Sequence, residues 1–185
     1  SGVFVKDGII IFKENGDYRE IVKVEDIILP GVHNIENYLA AIAATIDMVS
    51  PEVIGKVAAT FAGVEHRNEF VREINGIKFY NDSIGSSPTR TIATLNSFDK
   101  KVILIAGGYD KNIPYDTIGE TIINKSRAVI LLGQTAVLIE KAIINATIDY
   151  REKNNRKLEL PLYKVNSLEA AVKKAYDIAF KGDII

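Results

Sequence analysis

The stretch "KVILIAGGYDKN", Lys101 to Asn112, decides how the rest of the chain is read. A short run of Val, Ile and Leu ends on two glycines and a polar loop, the pattern of a strand buried on both faces. Downstream, "AVILLG" (128–133) and "LPLYKV" (160–165) give two further runs of the same kind. Between and after them apolar residues recur at helical spacing. Helices are expected over 116–126, from Gln134 to about Tyr150, and from Ser167 to Phe180. Strands alternating with helices of this length make parallel βαβ units. The fold class is therefore α/β, a Rossmann-like, mainly parallel sheet flanked by helices. The final "GDII" (182–185) reads as the opening of one more strand.

Upstream lies "FYNDSIGSSPTR" (79–90), a strand-to-helix junction dense in short polar groups. Ser87 followed by Pro88 is a helix start, a hydroxyl N-cap with proline in the first turn, and the helix should run to about Phe98. That leaves Asn81, Asp82, Ser83 and Ser86 without a purpose. Before it, "EFVREINGIKFYND" is a hairpin around Asn75-Gly76. Further back the pattern changes at "AGVEHRN" (62–68), the expected boundary between two domains, 1–63 and 64–185. In the first, Asp7-Gly8 marks a hairpin, and "YREIVKVEDIIL" (18–29) has the makings of another strand. After Pro30-Gly31 a helix follows, with Asn34 as N-cap, Asn37 at its third position and Leu39, Ile42, Ala43 and Ile46 on one face. A second helix starts at Ser50-Pro51-Glu52 and runs to about Phe61. A hairpin and two helices are a piece of architecture rather than a whole domain.

Composition sets bounds on function. The 185 residues carry 23 basic and 24 acidic side chains, a net charge of −1, so nothing draws the whole molecule to nucleic acid or to an acidic membrane surface. There is no cysteine, which excludes disulfides and thiolate metal sites. Imidazole comes only from His33 and His66. The first ten residues lack the plan of a secretory signal, and no stretch approaches the ~18 consecutive apolar residues of a membrane span. The expectation is a soluble chain with neither nucleic-acid nor membrane partners.

In open α/β sheets, ligands sit beyond the carboxyl ends of the strands. Two loops there are rich in candidates, Asn81 to Thr89 and Ala106 to Asn112. The second has Gly107 and Gly108 adjacent, with no third glycine, so it departs from the G-x-G-x-x-G dinucleotide fingerprint and argues against a nicotinamide or flavin enzyme. Two glycines after a strand still permit close backbone approach to a ligand, and Lys111 either presents a cation to a carboxylate or phosphate or stands as a solvated surface residue. No P-loop occurs, since Gly55-Lys56 is followed by Val57. No zinc spacing or Ser-His-acid set is present, so no residue is singled out as catalytic or metal-binding.

Taken in order, "GVHNIENYLAAIAAT", "GVEHRNEFV", "GIKFYNDSIGSSPTRTIATL" and "VILIAGGYDKN" resemble the Mur ligase family over essentially the whole chain. Within it the resemblance is to the D-glutamate-adding member, because relatives that add other amino acids carry an Asp-x-Ala-His type sequence where this chain has Asn81-Asp82-Ser83. The resemblance implies an ATP-dependent amide ligase of peptidoglycan synthesis, bacterial and cytoplasmic, monomeric as the complete enzyme. Its substrates would be D-glutamate, UDP-N-acetylmuramoyl-L-alanine and ATP with Mg²⁺. Residues 1–63 would then be the end of a central ATP-binding domain, and 64–185 a truncated amino-acid-binding domain. By the same analogy Asn34 and Asn37 lie near the adenine, Arg67 and Asp82 reach the ribose and phosphates, and Ser86 and Lys111 face D-glutamate. Ile84 stands where many members have lysine. This chain alone, without a P-loop, is expected to be inactive and to bind no cofactor tightly. The alternative reading of the same residues is a stand-alone Rossmann-like binding or regulatory module without catalysis.

Overall fold

The computed structural model describes residues 1–29 and 31–185; Pro30, after which the sequence pattern changes to that of a helix, lies outside them. The chain divides into two units, Ser1–Val64 and Glu65–Ile185. The first holds an antiparallel three-stranded sheet, β1 (Gly2–Lys6), β2 (Ile9–Glu14) and β3 (Asp17–Lys23), with helices α1 (Val32–Thr45) and α2 (Pro51–Thr60). Asp7 and Gly8 have φ of 50° and 77°, as a tight turn between twisted strands requires. A second such turn, Asn15-Gly16 with φ of 50° and 96°, makes the expected hairpin a three-stranded meander. The third strand stops at Lys23, where Val24–Asp26 forms one 3-10 turn, so the strand expected through "VEDIIL" is shorter than its apolar content suggests. Ile10, Phe12 and Val22 from the sheet meet Ile42 and Ile46 at the end of α1 and Ile54 and Ala58 of α2 in one apolar core.

The start of α1 differs from expectation. Gly31, at φ 101°, occupies the N-cap, so Asn34 is the third helical residue and Asn37 lies a turn further on. Glycine serves at this position because it accepts a positive φ without a Cβ penalty. The start of α2 falls where the sequence places it, after Ser50 and with Pro51 in the first turn.

The second unit opens with a hairpin, β4 (Glu69–Ile74) and β5 (Ile77–Asn81), turning at Asn75-Gly76. There follow α3 (Pro88–Asn96), β6 (Val102–Gly108), α4 (Ile118–Lys125), β7 (Ser126–Gly133), α5 (Ala136–Asn154), β8 (Leu162–Lys164) and α6 (Leu168–Asp177). Strands β6, β7 and β8 are parallel, with β7 in the middle. Alternation along β7 serves two layers. Val129 and Leu131 pack with Ile118, Ile122, Ile139 and Ile143 of α4 and α5, while Ala128 and Ile130 pack with Ala171 and Ala175 of α6. The expected α/β architecture, a parallel sheet flanked by helices, is what the structure shows.

Residues 183–185 bridge two sets of strands. Lys78 N donates to Asp183 O (3.0 Å), Ile185 N to Lys78 O (2.9 Å) and Tyr80 N to Ile185 O (2.8 Å), a parallel pairing with β5. On the other side Ile103 N of β6 donates to Ile184 O (2.8 Å). Residues 183–185 thus lie between β5 and β6 and join the hairpin to the parallel strands. They are anchored by Asp183, whose Oδ2 accepts from Arg127 Nη2 (2.6 Å), Arg127 Nε (3.2 Å) and Phe180 N (2.7 Å).

Candidate functional site: the strand-end loops of the second unit

Because β5, the closing residues, β6 and β7 run the same way, their carboxyl ends share one edge of the sheet, where loops lead into helices. At the end of β6 both glycines have positive φ, and Gly107 is required by space as well. A Cβ on Gly107, at φ 137°, would stand 1.8 Å from the carbonyl oxygen of Leu132 on β7. The loop beyond is tied to the next strand end: Asp110 N donates to Gln134 Oε1 (3.2 Å), and Thr135 N to Gly108 O (3.2 Å). Asn112 N donates to Asp110 Oδ1 (2.8 Å), an Asx turn with Lys111 at its crest. Lys111 is exposed, and no carboxylate pairs with it among the described residues.

The loop after β5 is folded on itself. Asn81 Oδ1 accepts from Ser83 N (3.0 Å), Gly85 N donates to Asp82 O (2.8 Å), and Ser86 N to Ile84 O (2.8 Å). Ser86 is exposed. Ser87 is the N-cap of α3 by position and by its extended backbone, yet its hydroxyl makes no capping bond; its carbonyl accepts from Arg90 N and Thr91 N instead.

Asp82 is the most connected side chain here. Its Oδ1 accepts from Asn68 N (3.0 Å) and its Oδ2 from the Thr94 hydroxyl of α3 (2.7 Å). Asn68 Nδ2 donates to Ser97 Oγ (3.1 Å), which in turn donates to Thr94 O (2.7 Å). His66 joins the same segment to the loop: Ile84 N donates to its carbonyl (3.2 Å), and Asn81 Nδ2 lies 2.9 Å from its Nδ1. Between His66 and Asn68 stands Arg67, exposed, with no hydrogen bond or ion pair on its guanidinium among the described residues.

Of the six residues singled out from the sequence, four thus lie in this unit: Arg67, Asp82 and Ser86 around the β5 loop, and Lys111 on the loop after β6, with residues 183–185 between the two strands rather than the strands side by side. Asn34 and Asn37 lie in the first unit, on α1, where Asn37 Nδ2 donates to Asn34 Oδ1 at 3.5 Å. Asn68, Thr94, Ser97 and Gln134 have no functional role in the sequence reading, and His66 figures there only as one of two imidazoles. Nothing local distinguishes them, and only the fold brings them to the loops.

Comparison with known proteins gives this arrangement a family. Residues 66–185 match the model described as Mur ligase, glutamate ligase domain. A UDP-N-acetylmuramoylalanine–D-glutamate ligase of Acetivibrio thermocellus is 56% identical over 184 residues, covering 100% of this chain and 39% of the relative. One from Ruminiclostridium cellulolyticum is 50% identical over 184 residues, with the same shares. The chain therefore spans well under half the length of these relatives. Among solved structures, a pseudomurein peptide ligase type C from Methanothermus fervidus aligns with a TM-score of 0.64 at 18% identity, over 98% of this chain and 37% of that one. A murein peptide ligase from Psychrobacter arcticus aligns at 0.60 and 20% identity, over 99% and 39%. These two speak for the fold alone. With the matched domain taking in well over half of its residues, the chain belongs to the Mur ligase family.

Proposed function

We propose that this chain is part of an ATP-dependent ligase of peptidoglycan synthesis that joins D-glutamate to UDP-N-acetylmuramoyl-L-alanine in the bacterial cytoplasm. The observation that carries the reading is identity of 50% and more, across the whole chain, to two proteins named for that reaction. On this reading residues 1–63 are the end of a central ATP-binding domain, and 64–185 belong to the domain that receives the amino acid.

The chemistry has two steps. A carboxylate oxygen of the L-alanyl group attacks the γ-phosphorus of ATP, ADP leaves, and an acyl phosphate forms. The D-glutamate amine then attacks the carbonyl carbon, phosphate leaves, and the amine loses a proton. Both steps concentrate negative charge, and cationic groups placed beforehand stabilise it. Arg67 is assigned to the phosphates and Asp82 to the ribose, with Asn34 and Asn37 near the adenine. Ser86 and Lys111 are assigned to the carboxylates of D-glutamate, where a cation and a hydroxyl on two strand-end loops give charge-assisted hydrogen bonds. Mg²⁺ belongs to this reaction class with ATP, held as a rule by one or two carboxylates together with the phosphates. The chain by itself, with no P-loop, is assigned no turnover.

Lys111→Ala in the full-length ligase tests the assignment. Losing about 1.5 kcal/mol of charged contact raises the D-glutamate KM roughly tenfold, while the ATP and UDP-sugar constants change far less. An unchanged D-glutamate KM returns Lys111 to the solvated surface.

A further inference from the structure

Arg67 carries a formal positive charge with no partner on its head among the described residues, and its backbone is unusual. The residues on either side have positive φ, 64° at His66 and 46° at Asn68. For residues other than glycine that conformation costs ~1–2 kcal/mol and persists only where the surroundings impose it. Here they do so through side chains from two other elements. Asp82, at the end of β5, binds the Asn68 amide, and Thr94 of α3 holds the second oxygen of the same carboxylate. Ser97, a turn further along, receives the Asn68 side-chain amide. A Cβ on Gly85 would stand 2.5 Å from Asp82 Oδ2, so glycine at this position leaves the carboxylate the room it occupies.

We infer that Thr94, Asn68 and Ser97 are positioning residues for ATP use: with Asp82 they form a clasp that fixes the His66–Asn68 backbone and so aims Arg67. The inference rests on the reading of Arg67 as a phosphate contact. It adds that Thr94, on a helix remote in sequence from the His66–Asn68 segment, acts through Arg67. A carboxylate oxygen accepts more than one hydrogen bond, so Asp82 can hold this segment and still meet the ribose.

The test is a double-mutant cycle on the ATP KM of the full-length ligase. Thr94→Val keeps the shape of the side chain and removes the hydroxyl. It raises the ATP KM roughly tenfold, the scale of one hydrogen bond to a charged group, and leaves the D-glutamate KM within about twofold. Thr94→Ser restores the wild-type value. In the Arg67→Ala background, Thr94→Val adds nothing. Should Thr94→Val fail to fold, Ser97→Ala takes its place in the same cycle, with a smaller effect that is equally absent when Arg67 is gone. If Arg67→Ala alone leaves the ATP KM unchanged, the phosphate reading of Arg67 fails and the inference with it. If Arg67→Ala raises the KM but Thr94→Val has no effect, or multiplies the loss in full, the inference alone is overturned.

Discussion

Asp183→Ala probes the device that closes the sheet. In the native structure one oxygen of Asp183 receives three donors, and its ion pair with Arg127 is largely sheltered, the two side chains being 31% and 19% exposed. Removing one partner of a fully buried pair costs ~3–5 kcal/mol, because the other is left charged and unpaired. Arg127 keeps its bond to Ile178 O (2.6 Å), its place over the Phe180 ring and part of its surface in water. The loss is therefore set lower, at about 2–3 kcal/mol. Asp183→Asn keeps an acceptor and loses only the charge, for about 1 kcal/mol. Amide hydrogen exchange locates the effect. Lys78, Tyr80 and Ile103 donate to the backbone of residues 183–185, so in Asp183→Ala their amides exchange roughly 30- to 160-fold faster. Val24, whose amide is bonded to Gly8 O in the first unit, does not change. Equal effects of the Asn and Ala substitutions, or unaltered exchange at Lys78 and Tyr80, would refute the reasoning and leave the closing residues held by their backbone alone.

Two further outcomes follow from local geometry. Gly119→Ala, in the first turn of α4, would ordinarily favour the helix, but here the new Cβ would lie 2.1 Å from Ala142 O of α5; the helices must part, and urea unfolding should show a net loss of about 1–3 kcal/mol. A stabilised variant would show that α4 and α5 do not approach so closely. At the start of α2 the Ser50 hydroxyl, with the backbone amide of Glu52, holds the Glu52 carboxyl below the ordinary carboxylate value. A lowered folded-state pKa contributes stability that is complete above the unfolded value and is lost as pH falls through the folded one. Ser50→Ala should move the Glu52 titration upward, read by NMR, and flatten that acid dependence; an unmoved titration would remove Ser50 as the cause.

The sequence made the second unit's strands legible because β6 and β7 are buried on both faces, which leaves an uninterrupted apolar run no helix surface would carry. Asp7-Gly8 and Asn75-Gly76 were legible for the same reason in reverse, each a turn pair between apolar runs. Asn15-Gly16 is the same chemical signal, yet it stands among Lys13, Glu14, Asp17 and Tyr18, so no apolar alternation flagged it. The end of α5 extends past Tyr150 because Asn155, at φ 49°, supplies the left-handed cap that glycine more often gives. Ser86 and Lys111 stood out because strand-end loops are where ligands bind. The clasp did not. Thr94 reads as an ordinary helix residue, and its bond to Asp82 exists only once α3 is docked on β5.

The placement of residues 183–185 also sets an order of events. Strands β6, β7 and β8 pair with partners one helix away, so they can assemble as their βαβ units appear. The β4–β5 hairpin meets the rest of the sheet through segments far along the chain, as the Asn75–Tyr176 hydrogen bond illustrates at a separation of 101 residues. Loop closure over such a distance is slow relative to local pairing. During synthesis the hairpin therefore waits, with the edge of β5 unpaired, until residues 183–185 have emerged. For that interval β5 is the edge most open to a wrong partner.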